Sequence, residues 1–230
     1  YLQNLLLPHL QRFVEKIELK ILKRGYYPKG GGEIQLEITP RFSFDEIEPF
    51  LEELQLKTAK ILLTKQGKLE QIRGIINLSI ELQEKSVGER IQQTIQNNLK
   101  ELEVPVNVRV EYSSALSIGG EALVWGIFSN NGQVDFDNPV LLAGDALIEF
   151  KKSSAEVGGE CVEKFRKELG SKSSADEHLA DQLIQFMGLL PGSEIVASEV
   201  TNHAQTNIYV VEKFLPVGFS VEGNRVSVKK

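Results

Sequence analysis

The residue best suited to chemistry is His203, which lies in a polar stretch, residues 202–207, between a strand-like run and an apolar-periodic run. Asn202 and Gln205 have the spacing of a capping box, which predicts Asn202 as the N-cap and places His203 in the first turn of a helix. Free backbone N–H groups and the positive end of the helix dipole favour a neutral imidazole there, and they also favour a bound phosphate. The position suits a histidine that attacks phosphorus. A histidine that faces solvent in an ordinary helical turn is the alternative.

A second group of candidates lies on one face of the helix predicted to begin in a capping box at residues 174–177 and to end near residue 190. Four polar side chains recur there at helical spacing: His178, Asp181, Gln182 and Gln185. A polar face of this kind is usually a solvated surface. This one contains no lysine or arginine, and its imidazole, carboxylate and amide groups suit hydrogen bonding to a neutral heterocycle.

A third candidate is the glycine-rich stretch, residues 24–32, between the strands predicted at residues 18–23 and 33–38. Its three consecutive glycines permit close backbone approach, and Arg24 and Lys29 add positive charge, so the stretch could hold an anion. It lacks the spacing of a Walker loop, and a strand follows it instead of a helix. A plain hairpin loop is the simpler interpretation.

Composition limits the kind of protein that carries these residues. The 230 residues, 41% of them hydrophobic, suffice for one large core or two smaller ones. The net charge of −6 argues against a protein that coats nucleic acid, although it allows one that holds the end of a strand. We expect a soluble intracellular protein without a membrane span, without a disulfide framework, since Cys161 is the single cysteine, and without a zinc site.

The elements follow from hydrophobic periodicity. A helix is predicted from residue 2 to residue 17, kinked or shortened at Pro8, and its pattern is already under way at Tyr1, so we expect the chain to begin inside a longer protein. A short helix is predicted at residues 43–54. Residues 68–149 read as a β-α-β-β-β block, with strands at 72–80, 106–112, 122–128 and 134–142. We expect Trp125 in this block to pack in the core or half-exposed, rather than to stack on a base. The predicted division is one domain formed by residues 1–67 and 150–230, with residues 68–149 inserted.

Three segments of the chain resemble, in order and spacing, those of a known enzyme family. They are residues 24–34 (Arg-Gly-Tyr-Tyr-Pro-Lys-Gly-Gly-Gly-Glu-Ile), residues 176–183 (Asp-Glu-His-Leu-Ala-Asp-Gln-Leu) and residues 203–207 (His-Ala-Gln-Thr-Asn). The family is that of the RNA 3′-terminal phosphate cyclases. The resemblance covers essentially the whole chain and is weakest in the inserted block. It implies an α+β fold of repeated units, each with two helices on a four-stranded sheet, together with a small inserted α/β domain.

The resemblance also implies a mechanism. The histidine matching His203 attacks the α-phosphorus of ATP and becomes adenylylated, the nucleotidyl group passes to an RNA 3′-phosphate, and the ribose 2′-OH displaces AMP to leave a 2′,3′-cyclic phosphate. The position matching His178 stacks on or flanks the adenine, although other members can have tyrosine there, and those matching Asp181 and Gln182 contact the nucleotide. The expected partners are ATP and RNA 3′ ends, and the expected location is cytoplasmic, or nuclear in a eukaryote.

One departure from the family pattern concerns the region ahead of Tyr1. Family members have there a Gly-Glu-Gly-Gly-Gly-Gln type motif and several arginines, which supply a ligand for Mg²⁺ or Mn²⁺ and much of the contact with phosphate. We therefore expect the parent protein to be a cyclase and this chain alone to have little or no activity, unless a complementary N-terminal chain is present. The alternatives are a non-catalytic cyclase-like protein that binds RNA in ribosome assembly and, less favoured, an enzyme related to the enolpyruvyl transferases.

Overall fold

A computed structural model describes residues 1–229, and these residues have six α-helices and ten strands of the α+β class, as predicted. The helices are α1 (Leu7–Leu10), α2 (Ile47–Lys57), α3 (Val87–Leu99), α4 (Ser154–Gly170), α5 (Glu177–Leu189) and α6 (Asn202–Phe214). The strands are β1 (Val14–Lys23), β2 (Glu33–Pro40), β3 (Leu62–Leu63), β4 (Lys68–Ser79), β5 (Val106–Ser113), β6 (Gly120–Ser129), β7 (Leu141–Leu147), β8 (Glu194–Val196), β9 (Gly218–Glu222) and β10 (Arg225–Lys229).

The first thirteen residues form a helical segment that is shorter than predicted. It consists of a π-helical turn (Leu2–Leu6), α1 and a 3₁₀ turn (Gln11–Phe13), and the extended backbone of β1 begins at Val14. The predicted extension of the helix to residue 17 is wrong, because Val14 and Ile17 lie in β1, where both are half-buried. Pro8 lies in the first turn of α1, where its missing N–H costs no hydrogen bond.

The strands β1 and β2 form a two-stranded antiparallel hairpin with one apolar face. Three pairs of aliphatic residues lie directly opposite one another on this face: Ile17 and Ile38, Leu19 and Leu36, and Ile21 and Ile34. Most of these side chains are substantially exposed. The opposite face is polar, so the hairpin shows the period-2 alternation expected of a sheet with one apolar side.

The first four-stranded sheet has the order β3-β8-β10-β9 and carries the helices that matter for the candidate site. Helices α5 and α6 pack on each other, and α2 contacts α5. The apolar face of α5, including Leu179, Leu183 and Met187, is fully buried in a core shared with β8 and β10. This sheet therefore fixes α5, and α5 in turn supports α6.

The second four-stranded sheet has the order β5-β4-β6-β7, with β4 and β5 parallel and the other pairs antiparallel. Helices α3 and α4 pack on one of its faces. The predicted strand at residues 134–142 is misplaced, because β7 begins only at Leu141. Before it, the carboxylate of Asp135 accepts bonds from the N–H groups of Asp137 and Asn138, at 2.9 Å each, and forms a turn that leaves Phe136 exposed.

Helix α4 packs against both β7 and α3, although it follows the predicted insert in sequence. The insert boundary at residue 149 and the repeated units stay predictions. Trp125 and Cys161 are buried, as predicted for core residues. Burial raises the pKa of the Cys161 thiol to about 12, which makes it inert. None of the helices within residues 1–229 is long and apolar enough to cross a membrane.

Candidate active site

His203 is the second residue of α6, so the structure places it in the first helical turn as predicted. The N-cap is Thr201, not Asn202. Thr201 has the extended backbone of a cap, and its hydroxyl accepts a hydrogen bond from the N–H of Ala204 at 3.0 Å. Its hydroxyl also donates to Asp181 of α5. His203 is exposed.

The N–H groups at the start of α6 are available to a ligand. The first backbone bond of the helix runs from the N–H of Gln205 to the carbonyl of Thr201, at 3.0 Å. The N–H groups of Asn202 and His203 precede this bond, and the Thr201 hydroxyl already satisfies Ala204. An anion at this end of the helix would therefore meet two donors next to the His203 ring.

A pair of hydrogen bonds joins α6 to the polar face of α5 through Asp181. The Thr201 hydroxyl donates to Oδ1 of Asp181 at 2.7 Å, and Nδ2 of Asn207 donates to the Asp181 carbonyl at 2.9 Å. Thr201 thus caps α6 and binds α5 with the same oxygen. This link holds the His203 turn against the polar face that contains Asp181.

The polar face of α5 is arranged as its spacing predicts. Leu179, Leu183 and Met187 are buried on one side, and the side with His178 and Gln182 is open or half-buried. The Oε1 atom of Gln182 is buried and has no partner among the residues that the structure describes. A buried amide oxygen without a hydrogen bond is unfavourable, so this atom would gain one from a ligand once the side chain turns towards it.

His178 lies at a separate cleft of about 310 Å³. Its side chain is 58% exposed, and the Tyr1 ring meets its ring edge-on at 5.8 Å between centroids. Ala143 and Gly144 of β7 form part of the lining, and Lys164 and Lys167 of α4 supply positive charge. Four carboxylates, Asp145, Glu168, Asp176 and Glu177, also line the cleft, and Asp145 and Glu177 pair with the two lysines at 3.2 Å and 3.5 Å. The cleft thus combines an exposed imidazole ring and small residues with more acidic than basic groups, so it suits a nucleotide base better than its phosphates.

Asp176 supports this cleft, and the sequence indicated it only as part of a predicted capping box. The box beginning at Ser174 does not form, because Asp176 itself is the N-cap of α5 and accepts from the N–H of Leu179 at 2.8 Å. The Tyr1 hydroxyl donates to the same oxygen, and the other oxygen accepts from the N–H of Ala143 at 3.0 Å. Burial raises the pKa of Asp176 despite these bonds. The carboxyl joins α5 to β7, and no pattern along the chain shows this.

No metal centre is formed by this part of the protein. Within residues 1–229, no three His, Cys, Asp or Glu side chains lie close enough together to hold an ion. His9, His178 and His203 also have different environments, since His9 is buried and the other two are exposed. The described residues therefore do not fit a divalent metal by themselves.

The glycine-rich stretch is a packed loop. Nη1 of Arg24 lies 2.7 Å from a carboxylate oxygen of Glu121, and the N–H of Lys29 donates to the Ser117 hydroxyl at 3.1 Å. The guanidinium of Arg24 is thus engaged by a carboxylate on β6. The simpler interpretation, a hairpin loop, agrees with this geometry, and the loop in addition joins the hairpin to the second sheet.

Comparison with known proteins agrees with the family resemblance found in the three sequence segments. The family model described as RNA 3′-terminal phosphate cyclase matches residues 1–221. An RNA 3′-terminal phosphate cyclase of Pyrococcus abyssi is 35% identical over 97% of this chain and 58% of its own length. One of Archaeoglobus fulgidus is 30% identical over 100% of this chain and 60% of its own length. The chain thus spans about three fifths of the length of these relatives.

Proposed function

The chain belongs to the RNA 3′-terminal phosphate cyclase family, and on that premise we propose that the natural protein containing it uses ATP to convert an RNA 3′-terminal phosphate to a 2′,3′-cyclic phosphate. The observation that carries the proposal is the link from Thr201 to Asp181, at 2.7 Å, which holds the His203 turn against the polar face of α5. The proposed reaction is that of an ATP-dependent ligase, and the proposed location of the protein is cytoplasmic, or nuclear in a eukaryote.

His203 is the nucleophile in this proposal. A ring nitrogen attacks the α-phosphorus of ATP, a P–N bond forms, and the bond to the leaving pyrophosphate breaks. An oxygen of the RNA 3′-phosphate then takes the AMP group from His203. The adjacent 2′-OH finally attacks the 3′-phosphorus and releases AMP. Dividing the transfer of AMP from ATP to RNA into two easier steps, through His203, is the usual advantage of a covalent nucleophile.

The start of α6 supports this chemistry electrostatically. The free N–H groups of Asn202 and His203 and the helix dipole stabilise negative charge that develops on the phosphate next to the ring. Because these groups are fixed by the backbone, they do not have to reorient during the reaction. Thr201 is a positioning residue here, since it acts through the helix it caps.

The nucleotide contacts we propose are His178, Asp181 and Gln182. His178 flanks the base with its exposed ring, and Gln182 uses its unpartnered Oε1 atom as a hydrogen-bond acceptor. One oxygen of the Asp181 carboxylate accepts the bond from Thr201 and fixes α6, and the other is the atom we propose as the acceptor for the nucleotide. Asp181 thus combines a binding role with a positioning role.

A divalent metal, Mg²⁺ or Mn²⁺, also belongs to the proposal. When bound, it neutralises charge on the phosphates of ATP. The described residues do not form a site for it, so its ligands have to come from residues beyond them, in the same protein or in a complementary chain. No step in the chemistry of His203 described above is assigned to it.

The test uses the natural protein incubated with ATP that is labelled at the α-phosphate. We expect acid-labile label on the wild type and none on His203→Ala. The His9→Leu variant is the matched control, because it removes a different, buried histidine and should keep the label. Absence of label on the wild type, together with tight binding of RNA, would favour the non-catalytic alternative. Label that persists in His203→Ala would contradict the assignment of the nucleophile.

A further inference from the structure

We propose that the open part of the helix-free face of the second sheet binds the single-stranded RNA upstream of its 3′ end, with Arg73 and Arg109 holding backbone phosphates. This proposal rests on the proposed function, because it assigns a path for the RNA whose terminal phosphate that function consumes. The inserted block thereby acquires a role in substrate binding.

The face is defined by strand alternation. Helices α3 and α4 cover the side of the sheet with Ile72, Ile76 and Val108. The alternate residues point to the other side, where the first turn of the chain covers only the part around Leu5 and Trp125. Towards the β5 edge this side stays open, and a cleft of about 370 Å³ at the edge is lined by residues of both sides, among them Gln96 of α3.

The open cleft is rich in cationic and amide groups. Its lining includes two arginines on neighbouring strands and three side-chain amides: Arg73, Arg109, Asn4, Gln96 and Asn107. In the parallel register of β4 and β5, Arg73 lies opposite Asn107, and Arg109 lies opposite Ile75. Because Ile75 is the next residue of β4 on the same face, the two guanidinium groups are diagonal neighbours.

These arginines retain donors for a ligand. Within residues 1–229, Arg73 has no carboxylate at ion-pair distance and makes no side-chain hydrogen bond. Arg109 contacts Glu111 through Nε at 3.0 Å, which leaves the two terminal nitrogens of its guanidinium free. An unpaired guanidinium beside a second one is unusual in a chain with a net charge of −6, and arginine is well suited to bind phosphate with two parallel hydrogen bonds.

A second cleft, of about 560 Å³, continues the path from Arg109 to the hairpin. Its lining includes Lys23, at the end of β1, and the hydroxyl groups of Ser113 and Ser114. Lys23 has no ion-pair partner in the described part of the chain, whereas Glu111 is held by Arg109. Three cationic side chains therefore follow one another along a polar groove, in the order Arg73, Arg109 and Lys23, with the Glu111 carboxylate paired to Arg109 between them.

The path begins next to the proposed nucleotide site. Tyr1 lines the His178 cleft, and Asn4 lines the cleft with Arg73. The N–H of Asn4 donates to the carbonyl of Tyr1 at 3.1 Å, so the two clefts are separated by one helical turn. A strand whose 3′-phosphate reacts at His203 and which passes the His178 cleft can therefore continue into the groove. Amide side chains beside arginines suit the unpaired bases and the phosphates of a single strand.

The test measures binding of fluorescent RNA to the natural protein by anisotropy, without ATP, for a trinucleotide and a dodecanucleotide that both end in a 3′-phosphate. For Arg73→Gln/Arg109→Gln we expect the affinity for the dodecanucleotide to fall at least about tenfold and its logarithmic salt slope to fall by about 1.4, as for two lost phosphate contacts. The trinucleotide, which is too short to follow the groove, should bind both proteins alike.

Two further variants make the result specific. Lys85→Gln/Lys100→Gln removes two exposed cations that flank α3, on the covered side of the same sheet, and should bind the dodecanucleotide like the wild type. Arg73→Lys/Arg109→Lys keeps the charge and should keep most of the salt slope, which separates phosphate binding from a folding defect.

Unchanged dodecanucleotide affinity in Arg73→Gln/Arg109→Gln would overturn the proposal. So would an equal loss in the lysine control, or a polyglutamate peptide that binds this face more tightly than RNA. Because the assay contains no ATP, failure of His203 labelling would leave its result unchanged. The two proposals can therefore fail separately.

Discussion

His9 has the most unfavourable surroundings of the three histidines. It has no exposed surface, and neither ring nitrogen has a hydrogen-bond partner within residues 1–229. Burial, together with the nearby Arg12, lowers the pKa of His9 to about 3 from its ordinary 6.5. The folded protein thus keeps this ring neutral at pH values where the unfolded chain protonates it. Because the two states bind different numbers of protons, the free energy of unfolding depends on pH.

We predict that His9 makes the protein less stable in acid. Below the unfolded pKa of 6.5 the unfolded chain binds a proton that the folded protein does not bind. The free energy of unfolding is therefore highest above pH 6.5 and decreases as the pH falls below it. Between about pH 7.5 and about pH 5, the loss from this one group is about 2 kcal/mol. Urea unfolding of the wild type and of His9→Leu at both pH values measures it, since other titrating groups contribute equally to both proteins.

A core variant controls for the loss of packing. Leu6→Ala removes a buried side chain of the neighbouring core and should lower the free energy of unfolding by the same amount at both pH values. If His9→Leu shows the same dependence on pH as the wild type, the imidazole is not held neutral by its burial.

At the scale of the elements, the junction of α5 and α6 determines where His203 lies. The junction depends on the Thr201 hydroxyl, which caps α6 and binds Asp181 of α5. Both bonds come from one atom, so a single substitution tests the cap and the link together. The backbone of His203 is not involved in either bond.

We predict that Thr201→Val lowers the free energy of unfolding by about 1–2 kcal/mol, the usual cost of a lost N-cap. It should also reduce labelling of His203 by ATP in the natural protein, because the helix start is no longer held against α5. Thr201→Ser keeps the hydroxyl and should keep both properties near the wild-type level.

The matched control on the same helix is Thr206→Val. The Thr206 hydroxyl is exposed and donates only to the carbonyl of Asn202, at 2.8 Å. Its loss should have a smaller effect than the loss of the Thr201 hydroxyl. Equal effects of the two valine variants would show that only helix propensity was measured, and the link would lose its assigned role.

At the scale of the whole molecule, the glycine-rich loop joins the hairpin to the second sheet. Arg24 binds Glu121, and the Tyr26 ring lies so close to Gly119 that a Cβ there would be 2.7 Å from it. Gly25 is equally confined, since a Cβ would lie 2.7 Å from the Gly30 carbonyl oxygen. The apolar face of the hairpin is mostly exposed, so these contacts are important for holding it in place.

We predict that Gly25→Ala lowers the free energy of unfolding by about 1–3 kcal/mol, because the added methyl group forces the loop backbone apart. Gly159→Ala is the control. Gly159 lies within α4, where a Cβ would have no neighbouring atom within 4 Å, and alanine there should raise the free energy by about 0.5–1 kcal/mol. Denaturant unfolding of the wild type and the two variants measures these free energies. If Gly25→Ala leaves the free energy of unfolding unchanged, the loop is not confined.

Local patterns were sufficient for much of the fold. The strand β2 and the helix α5 both depend on neighbours along the chain, so the sequence predicted them close to their true bounds. The candidates His203, His178, Asp181 and Gln182 were found in the same way, from residue type and helical spacing. Their roles stay predictions, although the family is established.

Contacts between residues far apart in the chain could not be found in this way. The Thr201 hydroxyl prefers Asp181, twenty residues away, and so the cap moves from Asn202 to Thr201. The face with Arg73 and Arg109 exists only because two strands pair in one register. Periodicity reports which side of an element is apolar, whereas the free energy of a hydrogen bond or an ion pair depends on which groups the fold brings together. The elements of this protein and the residues that could react therefore follow from the chain alone, and their partners follow from the tertiary structure.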